Sequence, residues 1–147
     1  MKIDSPAAME ALGQELAAML RTGDIVTLEG DLGAGKTTLA RGVLAGLGYT
    51  QDVSSPSFAI IHSYEPPEVR LPIAHIDFYR LEDKGEWEEL GLDEMALHGA
   101  MIVEWPEKGP DWIRRDALAV RIEFEGTGAR RLTVEPGRAW KDRWQRT

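Results

Sequence analysis

Gly30-Asp31-Leu32-Gly33-Ala34-Gly35-Lys36-Thr37 stands between "DIVTLE" (24–29), a short β-branched run, and a stretch carrying Leu39, Val43, Leu44 and Leu47 at helical spacing. The octad matches G-x-x-x-x-G-K-[ST], and a strand before it with a helix after it is the context in which that pattern cradles phosphate. Gly33 and Gly35 let the backbone wrap so that successive N–H groups face phosphate oxygens, and the helix N-terminus adds its positive dipole. The octad therefore predicts nucleotide contacts from Asp31, Leu32, Gly33, Ala34, Gly35, Lys36, Thr37 and Thr38. Lys36 is expected on the β and γ phosphates, Thr37 on magnesium, and Thr38 on the α phosphate. A chance Gly-rich turn is the plain alternative. The loop alone does not say what the nucleotide is for, because many activities share it.

The surrounding chain limits the answer. Its 147 residues suit one domain, with the tail over 137–147 of uncertain place. Acidic residues outnumber basic ones 25 to 17, giving a net charge of -8, and no window clusters Lys and Arg, so direct nucleic-acid binding is not favoured. Cysteine is absent, which excludes disulfides, zinc-thiolate sites and thiol catalysis. No signal-like segment or membrane-length apolar run is visible, and a cytoplasmic protein is expected.

Ser5-Pro6 suits an N-cap and first helical position, and Met9, Leu12, Leu16, Met19 and Leu20 continue a helix expected to end near Gly23. "FAIIHSY" and "LPIAHIDFYRL" read as two strands joined in hairpin fashion around Pro66-Pro67, and "EDKGEWEELGLDEMALHG" as one or two short helices. "AMIVEW" looks like a buried parallel strand stopped by Pro106, and "ALAVRIEFE-GTG-ARRLTVEP" like a hairpin. Trp140 and Trp144 are the apolar residues of an otherwise polar tail. The expected fold is α/β.

A phosphate loop needs a carboxylate at the end of a neighbouring strand to hold magnesium through water. Glu104 has the apolar-run-plus-acid form for that task. Asp77 shares a strand face with His75 and Tyr79, opposite Ile76 and Phe78, and is assigned to the attacking water, either orienting it or taking its proton. A solvent-facing strand-end carboxylate would explain Glu104 as simply, and a structural role would explain Asp77. His75 reads as a satisfied structural histidine. Ser54, Ser55 and Ser57 around Pro56 suit a segment ordered by γ-phosphate and magnesium, or an ordinary turn. Trp105 fits a place near the nucleotide or in the core. The chain has no asparagine, so the N-K-x-D reader of guanine is missing and ATP is the expected nucleotide. Apart from Arg80, the region ahead of Glu104 lacks the Arg-bearing lid of a small-metabolite kinase, which stays a minor alternative.

Together, "GDLGAGKTT", "SSPSF", "HIDFYRL", "EELGLDE" and "VEWPEKG" resemble the TsaE (YjeE) family in order and spacing, over residues 5–109. The resemblance implies a P-loop three-layer sandwich with a mixed, largely parallel sheet and a C-terminal antiparallel hairpin. It also implies a slow ATPase of bacterial tRNA threonylcarbamoyladenosine synthesis acting with TsaB and TsaD, which modify the adenosine following the anticodon. tRNA would then be met only through that complex. Carried over by position, Lys36 and Thr37 hold phosphate and magnesium, Glu104 helps bind magnesium, Asp77 supports hydrolysis, and 54–58 form a switch-like loop. Further nucleotide contacts would fall near Ser5 and near Gly128. Ser57 departs from the family's usual Thr, keeping the hydroxyl and losing the methyl. The alternative within the resemblance is a nucleotide-dependent assembly module whose hydrolysis is incidental.

Overall fold

The computed structural model describes residues 1–31, 33–53, 61–82, 84–126 and 128–144. Its centre is a seven-stranded sheet in the order β1-β7-β6-β2-β5-β4-β3. The strands are β1 (Lys2–Ile3), β2 (Ile25–Glu29), β3 (Ile61–Tyr64), β4 (Ile73–Asp77), β5 (Ala100–Glu104), β6 (Leu118–Glu125) and β7 (Ala129–Pro136). β6, β2, β5 and β4 run parallel to one another, while β1 and β7 on one flank and β3 on the other are antiparallel to their neighbours. Of the four parallel strands, β2, β5 and β4 are buried on both faces, as strands covered on both sides must be, whereas β6 alternates buried with exposed residues beyond Val120.

Alternation along these strands divides the core in two. Val26, Leu28, Ile102 and Val120 face the side covered by α1 (Pro6–Met19) and α2 (Lys36–Gly46). Ile25, Ala74, Ile76, Met101 and Val103 face the side covered by α3 (Leu92–His98) and α4 (Asp111–Asp116). The result is three layers. The hairpin expected at the C-terminus is present and continues the central sheet on one flank, because β6 pairs in parallel with β2. The acidic stretch forms a 3-10 segment, Lys84–Leu90, and α3. β1 and α4 had no clear signal in the sequence.

Ser5 caps α1, its side chain accepting the Ala8 N–H at 3.1 Å. The helix stops at Met19, earlier than Gly23, because Leu20 turns extended and buries its side chain. Gly23 takes its left-handed φ of +94° in the turn that follows. That turn is closed by Asp24, whose carboxylate accepts the Arg21 N–H and two bonds from the Arg143 guanidinium, at 2.8 and 2.6 Å. Arg143 also stacks on Trp140, which is fully buried, so residues 137–144 of the tail pack onto the domain with Trp144 partly covered beside Trp140.

α1 and α2 meet at backbone distance. A Cβ on Gly42 would lie 2.2 Å from the Glu10 carbonyl oxygen, and one on Gly13 would lie 2.5 Å from that of Leu39. The absent side chains bring the two backbones together and set where α2, with the loop at its N-terminus, sits over the sheet. Gly42→Val is therefore expected to cost about 3 kcal/mol or more, since the clash is with backbone and cannot be relieved by a rotamer change. Trp140→Ala should cost about 3–5 kcal/mol. Urea denaturation of both variants against the parent checks these values.

Candidate functional site

The loop leaves β2 at Gly30, where a Cβ would lie 2.6 Å from the Ile122 carbonyl oxygen of the neighbouring strand. It enters α2 at Gly35, whose φ of +116° is strained for any residue with a side chain. Lys36, the first residue of α2, is buried; its Nζ donates to the Gly30 carbonyl at 2.7 Å and lies 4.5 Å from the centre of the Trp105 ring. Trp105 reaches that place through a left-handed φ of +56°, a conformation costing about 1–2 kcal/mol for a non-glycine residue. The Tyr79 ring packs against it at 4.9 Å.

The register of β4 and β5 sets Asp77 directly beside Glu104, and both are almost fully buried, at 5% and 3% exposure. Glu104 thus does not face solvent. Its Oε2 is 2.7 Å from Nε2 of the buried His75, whose Nδ1 has no hydrogen-bond partner among the described residues, so the histidine expected to be satisfied is satisfied at one ring nitrogen and not at both. His75 and Asp77 lie on the face covered by α1 and α2, as alternation required. Asp77 accepts the Tyr79 N–H at 2.8 Å. Burial pushes the Asp77 carboxyl above its ordinary range, with the Glu104 charge adding to it, against the opposing effects of the Tyr79 N–H, Lys36 and His75.

These groups open on one cavity of about 440 Å³, lined by Lys36, Thr37, Thr38, Asp77, Glu104 and Trp105 together with Tyr79 and Arg80. Beside it, a smaller cavity of about 120 Å³ brings Ser5 and Gly128 against Gly33, Ala34 and Gly35, so the two remote contacts implied by resemblance adjoin the loop. Asp31 lies on the other flank, in a third cavity with Glu29, Trp105 and Phe124. Leu32 and the segment 54–60, including Ser54, Ser55 and Ser57, fall outside the described residues. A cavity of about 310 Å³ near Pro72, Met95 and His98 contains none of the loop. The cavity that holds Lys36, Asp77 and Glu104 is at the C-terminal ends of β2, β4 and β5, where open parallel sheets place ligands.

Among the described residues no group of three or more His, Asp or Glu is set to hold a metal alone. Magnesium keeps several waters and binds through one or two protein oxygens and substrate phosphates, so two oxygens facing one cavity could hold it. Thr37 and Glu104, across the same cavity, are the oxygens that fit. Sequence reasoning missed Arg130. Its Nε donates to the Ala34 carbonyl at 2.9 Å from a strand far along the chain, and no local pattern announces it.

A sequence profile described as Threonylcarbamoyl adenosine biosynthesis protein TsaE matches residues 3–132. The chain belongs to the TsaE family. The protein named tRNA threonylcarbamoyladenosine biosynthesis protein TsaE in Bacillus subtilis (strain 168) is 42% identical over 130 residues, covering 88% of this chain and 80% of that protein. Its namesake in Streptomyces coelicolor is 42% identical over 116 residues, 78% of each chain. The crystal structure of YdiB from Bacillus subtilis superposes with a TM-score of 0.75 at 35% identity, covering 92% of this chain and 83% of that one. Among the described residues of this TsaE family member, no helix is long and apolar enough to cross a membrane.

The raised proton affinity of Asp77 has a stability consequence. A carboxyl whose folded pKa exceeds its unfolded value favours the fold fully below the unfolded value, 3.8, and that contribution is lost as pH rises through the folded pKa. Asp77→Asn keeps an oxygen for the Tyr79 N–H and removes the charge. In magnesium- and nucleotide-free buffer it should melt above the parent at pH 8, with the difference narrowing towards pH 3; scanning calorimetry across that range checks the sign.

Proposed function

We propose that this chain binds ATP with magnesium, hydrolyses it slowly, and so supports threonylcarbamoyladenosine modification of tRNA through a TsaB–TsaD complex. The observation that carries the reading is the gathering of Lys36, Thr37, Asp77 and Glu104 around one cavity at the mouth of a phosphate-loop sequence. The tRNA pathway comes from the family and its named relatives.

In this reading the loop N–H groups and the N-terminus of α2 hold the phosphate chain, and Lys36 exchanges the Gly30 carbonyl for β and γ oxygens. Thr37 and Glu104 hold the magnesium ion, which when bound neutralises charge on those oxygens. His75 keeps one Glu104 oxygen fixed, leaving the other free for the cation. Asp77 orients the attacking water or takes its proton. Burial suits it to this work, because a carboxylate with raised proton affinity is a better base at neutral pH. Trp105 walls the cavity beside Lys36 and Glu104.

A second reading makes the nucleotide a structural ligand that prepares a docking surface, with hydrolysis incidental. One observation favours it: Arg130, the guanidinium held against the loop, bonds to loop carbonyls, so it is engaged away from the γ phosphate. An arginine finger is worth 10³–10⁵ in related chemistry, and slow turnover is expected if Arg80, the guanidinium that lines the cavity, does not act as one.

Asp77→Ala should keep ATP affinity within a few-fold and lose hydrolysis by about 10²-fold or more. It should also stop multi-turnover modification in a reconstitution with purified TsaB, TsaD and tRNA, whereas undiminished turnover by the variant would remove the enzyme reading. A non-hydrolysable ATP analogue should then permit one round of modification; sustained rounds with the analogue would favour the structural-ligand reading.

A further inference from the structure

Arg130 projects from β7 towards the loop, which precedes it by almost a hundred residues. Its Nε donates to the Ala34 carbonyl at 2.9 Å and its Nη2 to the Gly33 carbonyl at 3.4 Å. The guanidinium is held in place from two further sides. Nη1 donates to the Ala129 carbonyl at 3.0 Å, and the Phe124 ring, directly across the β6–β7 ladder, lies 4.4 Å below it. Phe124 is otherwise an oddity, an exposed phenylalanine at 53%. Beneath the guanidinium it has a use, since an aromatic face fixes a planar cation with little loss of rotamer freedom.

We propose that Arg130 is a positioning residue that selects the orientation of the loop peptides, so that the Gly35 N–H is set for phosphate before any ligand arrives. The proposal rests on the nucleotide reading above. In a planar trans peptide the C=O and N–H point in opposite directions. Holding the Ala34 carbonyl towards the hairpin therefore turns the Gly35 N–H away from it. The preceding peptide is fixed from both ends, its carbonyl by Arg130 and its Ala34 N–H by the Asp31 carbonyl at 3.0 Å. Such control is needed because Gly33, with φ +81°, and Gly35, with φ +116°, flank these peptides. Glycine enters left-handed and right-handed conformations almost equally readily, so the freedom that lets the loop wrap also lets its peptides flip. A flipped Ala34–Gly35 peptide would present a carbonyl oxygen to an anion. The hairpin thus supplies an order that the loop's own sequence cannot.

The test compares the parent with Arg130→Ala, Arg130→Lys and Phe124→Ala by calorimetric titration with the magnesium complexes of ATP, ADP and tripolyphosphate. If Arg130 acts through the loop, all three ligands lose affinity by a common factor, about ten-fold for Arg130→Ala, because the same N–H serves each. Lysine, having no fork, recovers little of this, Phe124→Ala gives a smaller common loss, and millimolar guanidinium restores affinity to Arg130→Ala. The Gly35 amide resonance should broaden in the Arg130 variants, reporting exchange between the two peptide orientations. Melting without ligand identifies any variant that fails to fold, and Phe124→Ala, which leaves Arg130 in place, then carries the comparison. Unchanged affinity in the folded variants would overturn the proposal and leave nucleotide binding intact. A loss confined to ATP would assign Arg130 to the γ phosphate, and one that spares tripolyphosphate would assign it to the nucleoside; either overturns the proposal. If the parent binds none of the three, the nucleotide reading fails first.

Discussion

Asp77 and Glu104 lie side by side at the ends of adjacent parallel strands, buried and of like charge, and the site is organised around that conflict. Two carboxylates withdrawn from water and set next to each other cannot both carry charge cheaply, and a proton, a lysine or a divalent cation relieves them. The surroundings provide part of the relief. His75 bonds Glu104 from within the sheet, the Tyr79 N–H bonds Asp77 from the turn, and Lys36 is buried above. Burial still dominates for Asp77, so the pair remains a place that attracts positive charge. In the proposed reading, a site relieved by its ligand gives up some stability of the free protein to gain affinity.

That arrangement is affordable only on a rigid base. The parallel register fixes both carboxylates to the same level, and the glycine contact between α1 and α2 fixes where Lys36 descends towards them. At the opposite end of the sheet, Asp24 forms the converse case, a buried carboxylate fully matched by the Arg143 guanidinium. Among the described residues, a buried carboxylate matched by a guanidinium thus lies at one end of the sheet and two buried carboxylates side by side at the other.

The sequence made the loop, the helices after Ser5 and Lys36, the central strands and the candidate carboxylates legible because each rests on local chemistry: glycine spacing, a cap, alternation, an acid after an apolar run. His75, Asp77 and Glu104 were visible as residues, but the His75–Glu104 bond needs the register between β4 and β5, which no single strand encodes. β1 was missed because two residues carry no periodicity, and its pairing with β7 is decided by the far end of the chain. α4 is too short for its pattern to rise above noise. Gly23 was read as a helix cap because it follows the apolar spacing, whereas burial of Leu20 ended the helix sooner. Arg130 was invisible for the most general reason, since its partners are carbonyl groups and carbonyls leave no trace in side-chain identity.

The pairing of β1 with β7 also bears on how the chain is made. The Met1 amino group donates to the Leu132 carbonyl, and Ile3 joins the same core as Trp140. A ribosome releases the first strand long before its partner exists, and β2 must wait almost as long for β6 on one side. Contacts of such sequence separation close late and slowly. During synthesis the phosphate-loop segment emerges early but stands beside an unfinished sheet edge, open to wrong pairings until the hairpin arrives. The hairpin that orients the loop is thus also the piece that completes the sheet, and the binding surface and the finished domain come into being together.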